Sequence, residues 1–192
     1  MSSYPVNSFE AENKRLEQGS QTVKAYMNGN AFLAPIDTAQ SNLRVLDSAA
    51  SNGYWLSQFQ AALKDPGSAT LIGTDLEDRF PDPPRPGISL QIQDINEPWP
   101  ADWQGTFDYA GNKQREALSA LAGLVKPGGW IELMEPEYEK GEGAGRAYAQ
   151  FHDMMAELWA MKGTKGDFAK DIEGLVKEAG FVDVASIGMP EL

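Results

Sequence analysis

The run NLRVLDSAASNGYW, residues 42–55, combines three patterns in a fixed order. Apolar residues between 43 and 46 predict a buried strand, and Asp47 follows them. Residues 48–53, SAASNG, are all small or polar, and the apolar spacing from 55 to 63 then predicts a helix. Such a unit can hold a nucleotide-like ligand, because ligands bind outside the carboxyl ends of parallel strands and at helix starts. With its single glycine, the run fits a purely structural turn equally well.

Strand and helix patterns alternate along most of the chain, which predicts an α/β fold. We expect a doubly wound, mostly parallel sheet with helices on both faces. The polar helix over 9–27 is interpreted as part of an N-terminal helical cap over 1–36, with a lid as the alternative. The ligand-binding domain is expected over 37–192. The KPGG run at 126–129 predicts the end of a helix. The further predicted strands are 69–75, 88–92, 106–110, 130–135 and 181–187, and the further predicted helices are 113–125, 148–161 and 167–179.

Composition narrows the class of partner. The 192 residues carry a net charge of −12, which disfavours nucleic acid and anionic membranes because phosphates bind basic surfaces. The absence of cysteine and the single histidine exclude disulfides and the common Cys and His metal sites, so we expect no metal. No apolar run approaches the roughly 18 residues of a membrane span. We therefore expect a cytoplasmic protein that binds a small molecule; its oligomeric state is not predicted.

Acidic residues stand at the ends of the first three predicted strands, at Asp47, Asp75 and Asp94. In a doubly wound sheet these strand ends lie side by side. An acid that closes the second strand can accept two hydrogen bonds from a ribose diol, which is the role expected of Asp75. Asp94 is expected at the rim of a base, beside the apolar Ile95, and Asp47 is expected to orient the turn. The alternative for each acid is a helix cap or a turn residue.

Four motifs together carry a resemblance to a known family: VLDSAASNGYW at 45–55, LIGTDLEDRFP at 71–81, QIQDINEPWP at 91–100 and LVKPGGWIELMEPEY at 124–138. In this order they resemble the class I S-adenosylmethionine-dependent methyltransferases, and among them the fungal secondary-metabolism methyltransferases. The resemblance covers roughly 31–187 and implies a Rossmann-like fold with S-adenosylmethionine as cofactor. It also implies these cofactor-binding residues: Asp47, Ser48, Ala49, Ser51, Asn52, Gly53, Asp75, Leu76, Asp94, Ile95, Tyr109 and Ala110.

The resemblance assigns each part of this set to a part of the cofactor. Residues 47–53 would line the methionine portion, and Asp75 would bind the ribose hydroxyls. Leu76 would lie beside the adenine, which Asp94 and Ile95 would flank. The residues at 109–110 would lie near the sulfonium.

The sequence departs from the family pattern at three places. Ala49 and Ser51 stand where the family has two glycines. Because both are small, we expect the turn to form on the condition that neither position needs a positive φ. The family pattern also leads us to expect additional residues after Ala110, and a further strand after Leu192.

Few residues suggest themselves as catalytic. Methyl transfer from a sulfonium needs mainly orientation, and a base helps only where the acceptor must lose a proton. The weak candidates are His152, Tyr26 and Tyr109. The Met-rich helix at 148–161 fits either the wall of an apolar acceptor pocket or ordinary packing. Glu135 and Glu137 fit either a rim of the site or a solvated surface.

We therefore predict S-adenosylmethionine-dependent methyl transfer to oxygen or nitrogen of a small, largely apolar secondary metabolite. One alternative is a protein that keeps this fold without transferring methyl, as a pericyclic or isomerising catalyst or as a regulatory binding subunit. A second alternative is an NAD(P)-binding oxidoreductase. The single-glycine turn and the KPGG strand both disfavour that second alternative.

Overall fold

The computed structural model describes residues 9–78, 80–112, 118–134, 145–161 and 168–188. The chain divides into two compact units, Met1–Leu133 with Ile187–Leu192 and Met134–Ser186. The first unit contains α1 (Phe9–Tyr26), β1 (Arg44–Ser48), α2 (Tyr54–Ala62), β2 (Thr70–Asp75), β3 (Ile88–Ile92), a 3₁₀ turn (Ala101–Trp103), β4 (Phe107–Asn112), α3 (Leu118–Ala122) and β5 (Val125–Leu133). The second unit contains α4 (Arg146–Met161) and α5 (Phe168–Glu178).

The five strands form one sheet in the order β3-β2-β1-β4-β5, and every neighbouring pair is parallel. This confirms the predicted doubly wound fold. The order reverses between β1 and β4, so the crevice above these two strands is the topological switch point, where α/β sheets bind ligands. Asp47 of β1 lies opposite Gly73 of β2 and Gly111 of β4, and Gly111 lies opposite Glu132 of β5.

Alternating side chains of the strands build an apolar core on each face of the sheet. On one face, α2 packs its Leu56 and Phe59 into a cluster completed by Leu43, Val45, Leu63, Leu71, Ile88 and Tyr109. On the other face, α3 and the 3₁₀ turn contribute to a cluster of Leu46, Ile72, Trp99, Trp103, Phe107, Ala110, Leu121 and Leu124. Each fully buried Leu or Phe contributes roughly 1.5–3 kcal/mol to folding. Together the two clusters fix β1, and hence the turn that follows it.

Helix α1 forms where the sequence predicts it, with Glu10 and Glu12 in its first turn and Lys24 in its last, as the helix dipole favours. It lies against α2, since Gln21 donates to the Tyr54 hydroxyl at 2.9 Å and the Gln58 amide donates to the hydroxyl of Ser20 at 2.9 Å. This contact fits a capping helix. The domain boundary between 36 and 37 stays a prediction.

The KPGG run does not lie between a helix and a strand, as predicted, but inside β5. The helix before it ends early because Leu124 already pairs with β4: its carbonyl accepts from the backbone N–H of Thr106 at 2.9 Å and of Phe107 at 3.0 Å. The ladder then shifts, with Phe107 opposite Val125 but Tyr109 opposite Trp130. The KPGG residues form this irregularity. Residues 113–117 of the predicted helix lie outside the described residues.

The predicted last strand over 181–187 is wrong. Residues 181–188 have no regular structure, and Val182 and Ile187 are 81% and 62% exposed. A strand needs a neighbour for its backbone groups, and residues 181–188 have no such ladder partner. The predicted helices at 148–161 and 167–179 correspond to α4 and α5. No described helix is both long enough and apolar enough to cross a membrane.

Candidate functional site

The turn between β1 and α2 has an alternating left-handed backbone. Ala49, Ser51 and Gly53 have φ angles of 64°, 50° and 70°. The condition that neither Ala49 nor Ser51 needs a positive φ is therefore wrong, and the turn forms nonetheless. A left-handed residue other than glycine costs roughly 1–2 kcal/mol, so surrounding contacts must hold the turn in place.

Backbone contacts to β2 hold the turn. The N–H of Ala50 donates to the carbonyl of Thr74 at 2.8 Å, and the N–H of Ser51 donates to Asp75 Oδ2 at 2.8 Å. Ala50 also packs closely over Gly73, where a Cβ atom would lie only 2.8 Å from that of Ala50. Asn52 Oδ1 accepts from the N–H of Tyr54, the first residue of α2, at 3.1 Å. The turn thus depends on a glycine in the neighbouring strand.

A second set of contacts ties the turn to α1 and to the loop before β3. The Glu17 carboxylate accepts from the amide of Asn52 at 3.0 Å and from the guanidinium of Arg85 at 2.9 Å. Arg85 Nε also donates to the backbone carbonyl of Asn52 at 2.8 Å. These hydrogen bonds join three residues, Glu17, Asn52 and Arg85, into a cluster termed the latch. The latch places the N-terminal helix beside the candidate site.

Asp75 closes β2 as predicted and is half-buried. Its Oδ1 accepts from the N–H of Glu77 at 3.3 Å, while its Oδ2 accepts from the turn. Two neighbours of Asp75 are apolar and exposed. Leu76, the next residue, is 63% exposed, and Ile92, the register partner of Asp75 on β3, is 60% exposed. A carboxylate beside exposed apolar surface has the chemistry that a ribose and its base require.

Asp94 and Ile95 follow β3, where the sequence places them, but their contacts are local. Asp94 Oδ1 accepts from the backbone N–H of Asn96 at 2.9 Å and from its side-chain amide at 3.1 Å. This is the turn role that was the alternative for Asp94. Ile95 packs against the apolar cluster that contains Trp99. Contact of these two residues with an adenine stays a prediction.

Tyr109 and Ala110 lie inside the two cores rather than on the open edge. Tyr109 is 2% exposed and stacks on Trp55, with 5.6 Å between ring centroids. Ala110 is fully buried on the opposite face. Burial, then the carboxylate of Glu132, then that of Asp47 raise the pKa of Tyr109 well above its usual value. A phenol with a raised pKa stays protonated at neutral pH, which makes it a poor general base.

Glu132 is a site residue that sequence reasoning missed. Its Oε2 accepts two hydrogen bonds, from the backbone N–H of Leu33 and of Ala34, each at 2.9 Å. Burial raises the pKa of Glu132, and these two backbone hydrogen bonds oppose that shift. The signal for it was available: within the predicted strand 130–135, the acid alternates with Trp130 and so shares its inward face.

The other two catalytic candidates are Tyr26 and His152. Tyr26 is the last residue of α1. The nearby Lys24 lines a cavity of about 420 Å³ together with Ala61 and Ala62, which lie at the end of α2 that is remote from the turn. His152 lies in α4 of the second unit, with its Nδ1 3.5 Å from Asp153 Oδ1. Within the same helix, Met154 and Met161 are exposed. The predicted rim residues at 135 and 137 lie outside the described residues.

The residues present fit the cofactor that the motifs imply. The turn supplies a buried hydroxyl, Ser51 Oγ, that has no hydrogen-bond partner in the described structure. Asp75 supplies the acceptor for a diol, and Leu76 and Ile92 supply apolar surface for a base. Asp47 and Glu132 supply negative charge on the same sheet face, near the switch point. The diol of S-adenosylmethionine matches the Asp75 carboxylate, its base matches the apolar surface, and its cationic centres match the negative charge.

Comparison with known proteins also relates the chain to methyltransferases. No family model matches the chain. It is 41% identical over 145 residues to the N-methyltransferase sirN of Leptosphaeria maculans, a match that covers 70% of this chain and 50% of sirN. It is 32% identical over 192 residues to the N-methyltransferase tcpN of Claviceps purpurea, covering 91% of this chain and 67% of tcpN. The chain thus spans half to two thirds of these relatives' lengths.

Solved structures agree at the level of the fold. An O-methyltransferase family protein from Burkholderia thailandensis superposes with a TM-score of 0.62 at 20% identity, over 94% of this chain and 57% of that protein. This likeness shows a shared architecture only. The sequence relatives go further, because tcpN is matched over two thirds of its length. The chain belongs, with these fungal N-methyltransferases, to the class I S-adenosylmethionine-dependent methyltransferases.

Proposed function

We propose that this protein transfers a methyl group from S-adenosylmethionine to a nitrogen atom of a small, largely apolar secondary metabolite. The observation that carries the proposal is the position of Asp75. Its carboxylate accepts from the left-handed turn, and both the next residue, Leu76, and its register partner, Ile92, are apolar and exposed at the carboxyl edge of a parallel sheet. The choice of nitrogen over oxygen is supported by the names of the two fungal relatives, both N-methyltransferases.

Under this proposal the chain's own residues mainly bind and orient. The donor, when bound, supplies an already activated methyl group. Residues 47–53 would hold its amino-acid portion, Asp75 its ribose, and Leu76 and Ile92 its base. Little is then required of a catalytic base, because orientation alone lowers the barrier substantially. A role for His152 or Tyr26 as a base stays a prediction, as do the cytoplasmic location and the small-molecule partner.

Calorimetry with three ligands tests the donor site. We expect S-adenosylmethionine and its demethylated product, S-adenosylhomocysteine, to bind this chain, and NAD not to bind. Binding of NAD alone would overturn the proposal in favour of an oxidoreductase. Binding of neither adenosyl ligand would also overturn it.

Methyl transfer itself needs a second experiment. The protein is incubated with donor labelled in the methyl group and with extracts rich in apolar amines and amides. We expect label in an organic-soluble product, with the label on nitrogen by mass spectrometry. Donor binding without any labelled product would favour the alternative, a protein that keeps the fold and the ligand but does not transfer methyl. Label on oxygen would correct the choice of acceptor atom.

A further inference from the structure

Two acidic side chains, those of Asp47 and Glu132, form an acidic row across the switch point. Asp47, Gly111 and Glu132 are register partners on β1, β4 and β5, so their side-chain positions share one face of the sheet. With strands spaced about 4.8 Å apart, the Cα atoms of Asp47 and Glu132 are about 10 Å apart. Gly111 has no side chain between them. The Tyr109 hydroxyl fills that position instead, 3.4 Å from where a Gly111 Cβ would lie.

Only one of the two carboxylate oxygens of Glu132 accepts a hydrogen bond from the described part of the protein. Its Oε2 receives both backbone hydrogen bonds, from Leu33 and Ala34. Within the described residues, Oε1 receives no hydrogen bond, and no Lys, Arg or His side chain forms an ion pair with Glu132. Glu132 is half-buried, and a carboxylate that has lost part of its hydration is stabilised by a nearby cation, because desolvation penalises its charge. An inward-facing acid without a cationic partner therefore points to a cationic ligand.

The strand order gives the direction in which such a ligand would extend. Asp75, Leu76 and Ile92 lie at the tips of β2 and β3, which are the strands on one side of β1. Glu132 lies on β5, on the other side of β1, beyond β4. A ligand whose nucleoside lies beside Asp75 and Ile92 would extend past the turn toward Glu132. Its charged centre then faces the acidic row.

We propose that Glu132 is the counter-charge for the sulfonium of the methyl donor, so that the site prefers the cationic donor to its neutral-sulfur product. This inference rests on the proposed function. During transfer the S–C bond breaks, sulfur keeps the bonding pair and becomes a neutral thioether, and the methyl carbon bonds to the acceptor nitrogen, whose proton passes to water. The positive charge opposite Glu132 disappears in that step. The attraction that holds the donor is therefore absent for the product, which favours product release.

The Glu132→Gln variant tests the assignment without requiring a known acceptor. Its amide oxygen can still accept from Leu33 and Ala34, so the backbone clamp is kept while the charge is removed. Dissociation constants are measured by calorimetry for S-adenosylmethionine and S-adenosylhomocysteine, which differ by the sulfonium charge. We expect the preference for the donor to fall by about five- to tenfold, with product affinity changed less than about twofold. Glu178→Gln, which removes an exposed acid of α5, is the matched control and should leave both constants unchanged.

Each of the other possible outcomes would overturn either the sulfonium assignment or the proposed function. An equal loss of affinity for both ligands would overturn the sulfonium assignment, because the lost interaction would then involve a part that the two ligands share. An unchanged preference would overturn it as well, while leaving the proposed function intact. Failure of the wild-type protein to bind either ligand would instead remove the proposed function itself.

A measurement on the wild-type protein covers the case in which the variant does not fold. As the pH falls, Glu132 becomes protonated, and affinity for the donor should fall more than affinity for the product. Among the residues that the structure describes, the titratable groups that face Glu132 are Tyr109 on β4 and Asp47 on β1, and the segment 31–36 packed against it contains none. Tyr109 remains protonated throughout such a titration. A donor preference that is independent of pH would contradict the assignment.

Discussion

The carboxylate of Asp75 accepts a hydrogen bond from the backbone N–H of Ser51, with 2.8 Å between Asp75 Oδ2 and Ser51 N. The acid that was predicted to bind a ribose therefore also holds the neighbouring turn. Ser51 is one of the two left-handed residues that stand in place of glycine, so this hydrogen bond offsets part of the conformational cost at that position. If Asp75 binds the ribose as proposed, ligand recognition and turn formation depend on the same side chain.

Replacement of Asp75 by alanine should weaken both functions. We expect donor affinity to fall by about 1–3 kcal/mol, from the loss of hydrogen bonds to a charged acceptor, and the free energy of unfolding to fall by about 1 kcal/mol. Calorimetry with S-adenosylmethionine and urea denaturation measure the two effects. Asp65→Asn, at an exposed turn before β2, is the control and should change neither. Unchanged donor affinity in Asp75→Ala would remove Asp75 from the site.

Glycine at position 49 should stabilise the protein. Ala49 has a φ of 64°, and relief of that strain is worth about 1–2 kcal/mol. Added backbone freedom in the unfolded chain offsets about 0.5–1 kcal/mol, so we expect a net gain of about 0.5–1 kcal/mol in the free energy of unfolding. Ala50→Gly is the control at the adjacent position, where φ is not positive and the side chain is buried against β2. It should destabilise by about 1 kcal/mol. A loss of stability in Ala49→Gly would show that its methyl group outweighs the strain.

The latch should contribute measurably to stability. Arg85→Ala removes two hydrogen bonds and the contact of the guanidinium with the Tyr54 ring at 5.6 Å. Because the Arg85 and Glu17 side chains are 27% and 33% exposed, we expect a loss of only about 1–2 kcal/mol in the free energy of unfolding. The difference from wild type should shrink in 1 M salt, where the Debye length is about 3 Å. Arg15→Ala, which removes the ion pair with Glu12 inside α1, should cost less than about 0.5 kcal/mol. Equal losses in the two variants would contradict a special role for the latch.

Much of the fold could be predicted because local patterns carry it. The run at 42–55 contains the apolar strand, the small turn and the amphipathic helix in one continuous segment, and all three form, although the turn does so with positive φ at Ala49 and Ser51. KPGG was misplaced for a physical reason: its Gly and Pro indicate a stop, but β5 pairs with β4 on both sides of it, at Val125 and again from Trp130. The strand predicted at 181–187 failed because an alternating pattern does not show whether a partner strand is available.

The site was only partly predictable, because its remaining parts depend on distant contacts. Asp75 could be found from its position after a strand. Glu132 could not be assigned a role, since its partners at 33–34 lie almost a hundred residues away. The sequence also did not reveal that Tyr109 points into the core formed with Trp55. Residues fixed by their own strand were recognised, and residues fixed by tertiary packing were not.

The half-buried carboxylate of Glu132 should make stability depend on pH in a recognisable direction. Burial raises its pKa in the folded state above the ordinary value of 4.5. A group with a raised pKa in the folded state favours folding when protonated, and that contribution is lost as the pH rises through the folded-state pKa. Glutamine carries no such proton. The free energy of unfolding of wild type minus that of Glu132→Gln should therefore fall as the pH rises from the ordinary value through the raised one.

Urea denaturation of both proteins from about pH 5 to about pH 8 measures this difference, since linkage converts a pKa shift into a slope of stability against pH. Subtraction of the two curves removes the contributions of the carboxylates that both proteins share. Glu178→Gln, at an exposed position, should give a difference from wild type that stays flat over the same range. A flat difference for Glu132→Gln would mean that the carboxylate is as well solvated in the folded chain as in the unfolded one. A difference that rises with pH would mean that the hydrogen bonds from Leu33 and Ala34 outweigh burial, and would reverse the assigned direction of the pKa shift.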